Sequence, residues 1–398
     1  MTDAFSFKTI LFVASLVLPL AGMSDRAFSQ ADDAVPRIET TAREALLVDG
    51  KTGTVLFSKN ADAPFPPASL AKMMTMEIVF AAITDGSLSL DTEFPVSEHA
   101  WRTGGAPSRT STMFAELKSQ VPVSALIRGA IIQSANDAAI VIAEGMEGSE
   151  AAFAERMNAR ARELGMINSR FANPTGLPAD DQYVTARDLI TLARHIRSTY
   201  PALYAIYAEP AFEWNKIFQR NRNPLLSMDI GADGIETGFT EASGYSLVGA
   251  TRDAGRVTFV AISGTETARD RATEARKLLL WAKDSFATET LFPADEIVGS
   301  ANVFGGVSGS VALAAREPVE ALLPADAPEL VSLQIRYLEP LLAPIAEGQA
   351  VASLDILVEG EPVLSRDLHA AHAVAAGSFT DRALGAVREL AVGWLRQF

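Results

Sequence analysis

The chain of 398 residues carries 34 Lys and Arg against 49 Asp and Glu, with four His, no Cys, 48% hydrophobic and 21% charged residues. That balance is globular and excludes disordered, collagenous and coiled-coil classes, while the missing thiols exclude a disulfide framework, a thiolate metal site and a cysteine nucleophile. A formal charge of −15 argues against nucleic acid as a partner, and four His outside any metal-ligand spacing argue against a zinc hydrolase.

At about 150 residues per domain, the length predicts two or three domains. Residues 1–29 read as a signal peptide: Lys8, an apolar run from Ile10 to Ala21, then small residues ending Ala27-Phe28-Ser29, so the exported chain is expected to start near Gln30. Residues 45–57 read as an antiparallel hairpin turning at Gly50-Lys51-Thr52-Gly53. An apolar helix over Ser69–Thr84 follows Pro66-Pro67, and further helical stretches are expected over 121–144, 149–164 and 185–197. The period then changes: 244–251 and 256–263 read as strands and 268–286 as a long closing helix. The order strands, helices, strands makes an α+β domain over residues 30–288, an antiparallel sheet whose two portions meet across a helical insertion. From about Leu291, short β-like runs (307–314, 330–337, 350–358) between Pro- and Gly-containing turns predict a small all-β domain over 289–376.

Residues 377–398 have a helical period. Leu384, Val387, Leu390, Trp394, Leu395 and Phe398 share an arc of roughly 140°, with Arg382, Glu389 and Arg396 opposite. Such a helix suits either a membrane interface or a docking site on the protein's own body.

Ser69-Leu70-Ala71-Lys72 is the chain's single Ser-x-x-Lys. On a helix, residues three apart share a face, so a lysine of lowered pKa can deprotonate the serine. Ser134-Ala135-Asn136 lies further on, inside the helical insertion; Ser58-Lys59-Asn60 and Ser300-Ala301-Asn302 match the same pattern by accident.

With these elements in order, the chain resembles the serine D-alanyl-D-alanine carboxypeptidases, the low-molecular-mass penicillin-binding proteins. The segments that carry the resemblance are Pro66-Pro-Ala-Ser-Leu-Ala-Lys-Met-Met-Thr75, Gln133-Ser-Ala-Asn-Asp-Ala-Ala139, Phe171-Ala-Asn-Pro-Thr-Gly-Leu177, Asn221-Arg-Asn-Pro-Leu-Leu226 and Asp233-Gly-Ile-Glu-Thr-Gly-Phe-Thr240, with Leu342-Ala-Pro-Ile-Ala-Glu-Gly348 in the β-rich domain. It implies a β-lactamase/transpeptidase-like catalytic domain, peptidoglycan stem peptides and β-lactams as partners, and a periplasmic protein held peripherally at the cytoplasmic membrane through its C-terminal helix. No metal or organic cofactor is implied. The resemblance makes Ser69 the nucleophile, Lys72 its general base, Ser134 the proton relay to the departing D-alanine and Asn136 a substrate-amide ligand. The backbone N–H groups of Ser69 and Phe239 would form the oxyanion site.

The third motif reads Glu236-Thr237-Gly238, where the family has lysine. Lys51-Thr52-Gly53 precedes Ser69 and is expected to be an exposed turn, not the catalytic strand. An ionised Glu236 about 5 Å from a substrate carboxylate would repel it by about 3 kcal/mol at an effective dielectric near 20, a penalty of about a hundredfold. A protonated Glu236 would escape this, as would one paired with Lys72, leaving carboxylate binding to Arg271 and a hydrogen bond from Thr237. The alternative is a non-catalytic or impaired homologue that binds peptidoglycan. Glu163 and Glu209 fall between the second and third motifs without a loop signature for deacylation, so slow-turnover acylation by penicillins is expected and efficient β-lactam hydrolysis is not.

Overall fold

The computed structural model describes residues 38–380 together with the backbone of 14–16; the amphipathic segment expected over 377–398 lies outside the described residues from 381 onward. The chain divides into two compact units at Asp284–Ser285, against the expected boundary after residue 288.

In the first unit, the expected hairpin is β1 (Glu44–Asp49) paired with β2 (Val55–Lys59), with Lys51 exposed at the turn. The apolar run after it starts as a single 3-10 turn, Ala68–Ala71, and continues as α1 (Lys72–Thr84). Nothing about α1 is amphipathic: every residue from Lys72 to Phe80 is buried, which is the signature of a helix running through a core. Its one acidic residue, Glu77, accepts there through Oε1 from Arg160 Nε at 2.9 Å and Tyr200 Oη at 3.1 Å.

The stretch 121–144 is not one helix. It divides into α2 (Val123–Ile132) and α3 (Asn136–Glu147), preceded by a short strand at Gln120–Pro122. The break is Gln133–Ala135, where Ser134 adopts φ +55°, a left-handed conformation uncommon for a residue with a Cβ. Tertiary hydrogen bonds hold it open: Asn136 N–H donates to Ser111 O at 2.7 Å and Arg222 N–H to Ile132 O at 3.1 Å. Helices α4 (Glu150–Glu163) and α5 (Ala186–Thr199) complete the insertion close to the expected bounds.

The chain then returns to the sheet as β3 (Ala232–Thr240), β4 (Gly244–Asp253) and β5 (Arg256–Thr265), and closes with α6 (Ala268–Ser285). The five strands are ordered β2-β1-β5-β4-β3, all antiparallel, so the two sheet portions join between β1 and β5 as the sequence order requires. Near-continuous burial along β4 and β5 shows that both faces of the sheet are covered. The third motif, on β3, therefore lies on an edge strand.

Among the described residues from 286 to 376, the second unit is all-β apart from one 3-10 turn, Pro328–Leu330. The expected runs appear as Ser310–Ala314, Val331–Arg336 and Ala350–Val358, and strands at Phe286–Phe292, Ile297–Phe304, Val319–Pro324 and Glu361–Ala370 add to them. Its larger sheet has seven strands, one of them Ala14–Leu16 paired with Val331–Arg336, inside the segment read as a signal peptide. Its core is aliphatic, centred on Val311, Leu313, Ile356 and Leu368.

Candidate active site

Ser69 sits on the 3-10 turn that launches α1, and the residue before it, Ala68, has φ +48°. Two glycines bracket that turn. A Cβ on Gly176 would lie 1.6 Å from Ala68 O, and one on Gly238, on β3, would lie 3.1 Å from Ala68 Cβ. Only residues without a side chain allow the loop behind the turn and the edge strand in front of it to approach this closely.

Lys72 points back along its helix to Ser69, with Nζ donating to Ser69 Oγ at 3.1 Å and to Thr175 O at 2.9 Å. The segment Phe171–Leu177 is what supplies that carbonyl. Asn173 Oδ1 accepts from Gly176 N–H at 2.8 Å and Thr175 Oγ1 at 2.8 Å, and Pro174 O accepts from Thr75 Oγ1 at 2.8 Å, tying the loop to α1. Lys72 is 1% exposed, and burial lowers its pKa to about 8; the Glu236 carboxylate opposes that shift, and Arg222 reinforces it.

Ser134 and Asn136 face the same cleft. Asn136 Nδ2 donates to Thr110 Oγ1 at 3.0 Å, while its buried Oδ1 and the buried Ser134 Oγ have no partner of full hydrogen-bond geometry. Asp137, next in sequence, fixes the wall opposite: its carboxylate accepts from Thr112 Oγ1 at 2.6 Å and from the N–H groups of Met113, Ala115 and Ala138 at 3.0 to 3.1 Å. Burial raises its pKa, and these four donors pull the other way. Replacing Asp137 by alanine strands buried donors and is expected to cost about 3 kcal/mol, read as a fall in Tm of roughly 6–12 °C.

Glu236 is buried on β3, with Oε1 accepting the N–H of Thr237 at 2.9 Å. Burial raises its pKa to about 7, while Lys72, the Thr237 N–H, Ser134 and Arg222 each draw it down. Lys72 and Glu236 thus act on each other through the cleft without a direct ion pair, so the pairing expected as one escape is electrostatic only. Phe239, half exposed, stacks on Tyr245 with ring centroids 4.3 Å apart. The Arg271 guanidinium lies 5.7 Å from the centre of the Tyr245 ring; its buried Nε has no partner and burial lowers its pKa.

Ser69, Ser134, Asn136, Thr237, Gly238, Phe239 and Arg271 line one cleft of about 520 Å³, with Lys72 and Glu236 buried behind them. Arg222, Thr110, Ser111 and Tyr245 also line it and were not singled out from the sequence. Arg222 lay in view within Asn221-Arg-Asn-Pro-Leu-Leu226, yet nothing local marks a loop arginine as facing a site formed by distant segments. Glu163, paired with Arg160 at 2.9 Å, and Glu209, paired with Arg128 at 2.9 Å, are not among the residues lining the cleft. The accidental match at Ser300 belongs to the second unit.

A serine hydroxyl held by a buried amine, faced by a second serine and an asparagine across an edge strand, defines a serine acyl-transfer enzyme of the penicillin-binding class. Residues 29–266 match the D-alanyl-D-alanine carboxypeptidase family and residues 286–376 the penicillin-binding protein 5 C-terminal domain, and the chain belongs to that family. It is 36% identical over 357 residues to D-alanyl-D-alanine carboxypeptidase DacC of Escherichia coli, covering 88% of this chain and 89% of the relative, and 32% identical over 365 residues to DacA of the same organism, covering 90% of each. Among solved structures it is similar to penicillin-binding protein 5 of Haemophilus influenzae (TM-score 0.72, 33% identity, 86% of this chain and 100% of that one). Its similarity to the ampicillin-bound penicillin-binding protein D2 of Listeria monocytogenes has a TM-score of 0.54 at 28% identity, covering 62% of this chain and 98% of that one.

Proposed function

We propose that the protein is a serine D,D-carboxypeptidase that removes the terminal D-alanine from peptidoglycan pentapeptide stems through an acyl-enzyme on Ser69, and that penicillins acylate the same oxygen. The observation that carries this reading is the 3.1 Å contact between Ser69 Oγ and an amine whose burial favours its neutral form. The neutral Lys72 takes the Ser69 proton as Oγ attacks the penultimate carbonyl. The oxyanion is held between the N–H groups of Ser69 and Phe239, Ser134 passes a proton to the leaving nitrogen, and Asn136 Oδ1 accepts a substrate amide N–H. Arg271, with Thr237, binds the terminal carboxylate, a role that the unpartnered Nε inside the cleft supports. Arg222 adds a second cation to the same wall.

A second reading, an impaired homologue that binds peptidoglycan without turnover, is favoured by one observation: the buried acid at Glu236. One assay separates the two. D-alanine release from a D-Ala-D-Ala peptide is expected for the native protein; no release from the native protein, with release restored by Glu236→Lys, establishes the impaired homologue instead. The leader-like pattern of residues 1–29 and the apolar arc of the C-terminal sequence support the reading of a periplasmic protein attached peripherally to the membrane. No described helix is long and apolar enough to cross a membrane. Deletion of residues 377–398 is expected to move the protein from the membrane to the soluble fraction.

A further inference from the structure

We infer that Glu236 is a proton store behind Ser134: its neutral carboxyl refills Ser134 as that hydroxyl protonates the leaving nitrogen, and its carboxylate later takes a proton from the water that cleaves the acyl-enzyme. The inference rests on the acyl-enzyme reading above. Its geometric basis is the placement of three groups. The Glu236 carboxyl is buried on the edge strand, and Oε1 is pinned by the Thr237 N–H at 2.9 Å. Ser134 is 2% exposed, its hydroxyl lies beside that carboxyl, and it has no partner of full hydrogen-bond geometry. Ser134 also lines the cleft that Ser69 enters from the other wall.

The charged and titratable groups facing Glu236 come from several elements: Lys72 on α1, Arg222 in the loop before β3, Arg271 on α6 and Tyr207 on the 3-10 turn Ala205–Ala208. Burial drives Lys72 and Glu236 in opposite directions, both toward the uncharged form. A neutral amine beside Ser69 and a neutral acid beside Ser134 form the state this chemistry needs.

The step balances. In acylation the Ser69 Oγ–C bond forms and the C–N bond breaks; the Ser69 proton goes to Lys72, the Ser134 proton goes to the leaving nitrogen, and the Glu236 proton refills Ser134. Lys72 is then an ammonium and Glu236 a carboxylate. In deacylation the water oxygen bonds to the acyl carbon, its proton passes through Ser134 to Glu236, the Oγ–C bond breaks, and Lys72 returns its proton to Ser69. Both groups are reset without an outside reactant.

The test is the rate of acylation by a fluorescent penicillin across pH 5.5–9.5, on the full chain, for the native protein and Glu236→Gln. An acid and a base acting together give the native protein a bell-shaped profile, its apparent values belonging to the pair. Glu236→Gln is expected to keep the rising limb, lose the falling one, and acylate at least tenfold more slowly at pH 7. A merely electrostatic role predicts the reverse, because removing the carboxylate lowers the Lys72 pKa further and speeds acylation at pH 7. A variant as fast as the native protein, or one that retains the falling limb, overturns the inference. So does a native profile with no falling limb, a result that needs no variant and is immune to misfolding. Native protein that takes no label at any pH removes the acyl-enzyme reading itself, and this inference with it.

Discussion

Ser69→Ala is expected to abolish covalent labelling by penicillin and to lower D-alanine release by at least about a thousandfold, because Ser69 is the cleft hydroxyl that the Lys72 amine contacts. The loss is expected in kcat and not in folding. Ser69 occupies a turn whose shape is set by its neighbours: Ala68 is wedged between Gly176 and Gly238, and Leu70 and Ala71 are fully buried. Removing one oxygen from the mouth of the cleft leaves that packing intact. Noncovalent binding of a D-Ala-D-Ala peptide should therefore persist in the variant, since Asn136, Thr237 and Arg271 line the cleft independently of Ser69. Intact-mass spectrometry after incubation with penicillin checks the first expectation and calorimetric titration the second; a labelled Ser69→Ala protein places the nucleophile elsewhere.

The second large effect is expected at Lys72. Its amine touches Ser69 Oγ and the Thr175 carbonyl and is otherwise enclosed, so its removal takes away the base in hydrogen-bond contact with Ser69. Lys72→Ala should lower the acylation rate by about a thousandfold, the scale of general-base catalysis. The pH profile separates this from a packing defect. With the amine present, its pKa lowered to about 8 means that the neutral, proton-accepting form is the minority at pH 7 and grows as pH rises, which gives the acylation profile its rising limb. Without the amine, the residual rate should lose that climb. Lys72→Ala also leaves the Glu236 carboxyl without the ammonium that draws its pKa down, so Glu236 should titrate above its native range.

Much of this arrangement was legible in the sequence where local chemistry dictates it. The 45–57 hairpin declared itself through two short runs flanking a Gly-Lys-Thr-Gly turn, and α1 through an apolar run after two prolines. Ser-x-x-Lys placed hydroxyl and amine on one face even though the first turn is 3-10, since a spacing of three aligns side chains in that geometry too. The break between α2 and α3 was not legible. Gln133-Ser-Ala carries no proline or glycine, and the kink is held by hydrogen bonds from Asn136 to Ser111 and from Arg222 to Ile132, partners far away in sequence. The same cause hid Arg222 and the Thr175 carbonyl, because each reaches the cleft through a loop whose path depends on the finished fold. Glu236 was visible as an acid in a position where lysine was expected, but its burial against Lys72 and Ser134 became evident only with β3 in place at the sheet edge. In the second unit, the strands 286–292 and 319–324 escaped notice because their register depends on each other and not on a local turn.

The bracketed turn at Ala68 bears on drug escape. A pathogen under antibiotic pressure commonly reshapes the mouth of its target so that the drug fits poorly while the natural substrate still enters. Here that freedom is missing at two points, because a larger residue at Gly176 would push directly on the Ala68 backbone beside Ser69, and one at Gly238 would press on Ser246 Oγ and the Ala68 side chain. Resistance mapped onto this scaffold should thus spare both glycines and gather instead on the aromatic and basic rim around Phe239, Tyr245 and Arg222, where side chains can be exchanged without moving Ser69.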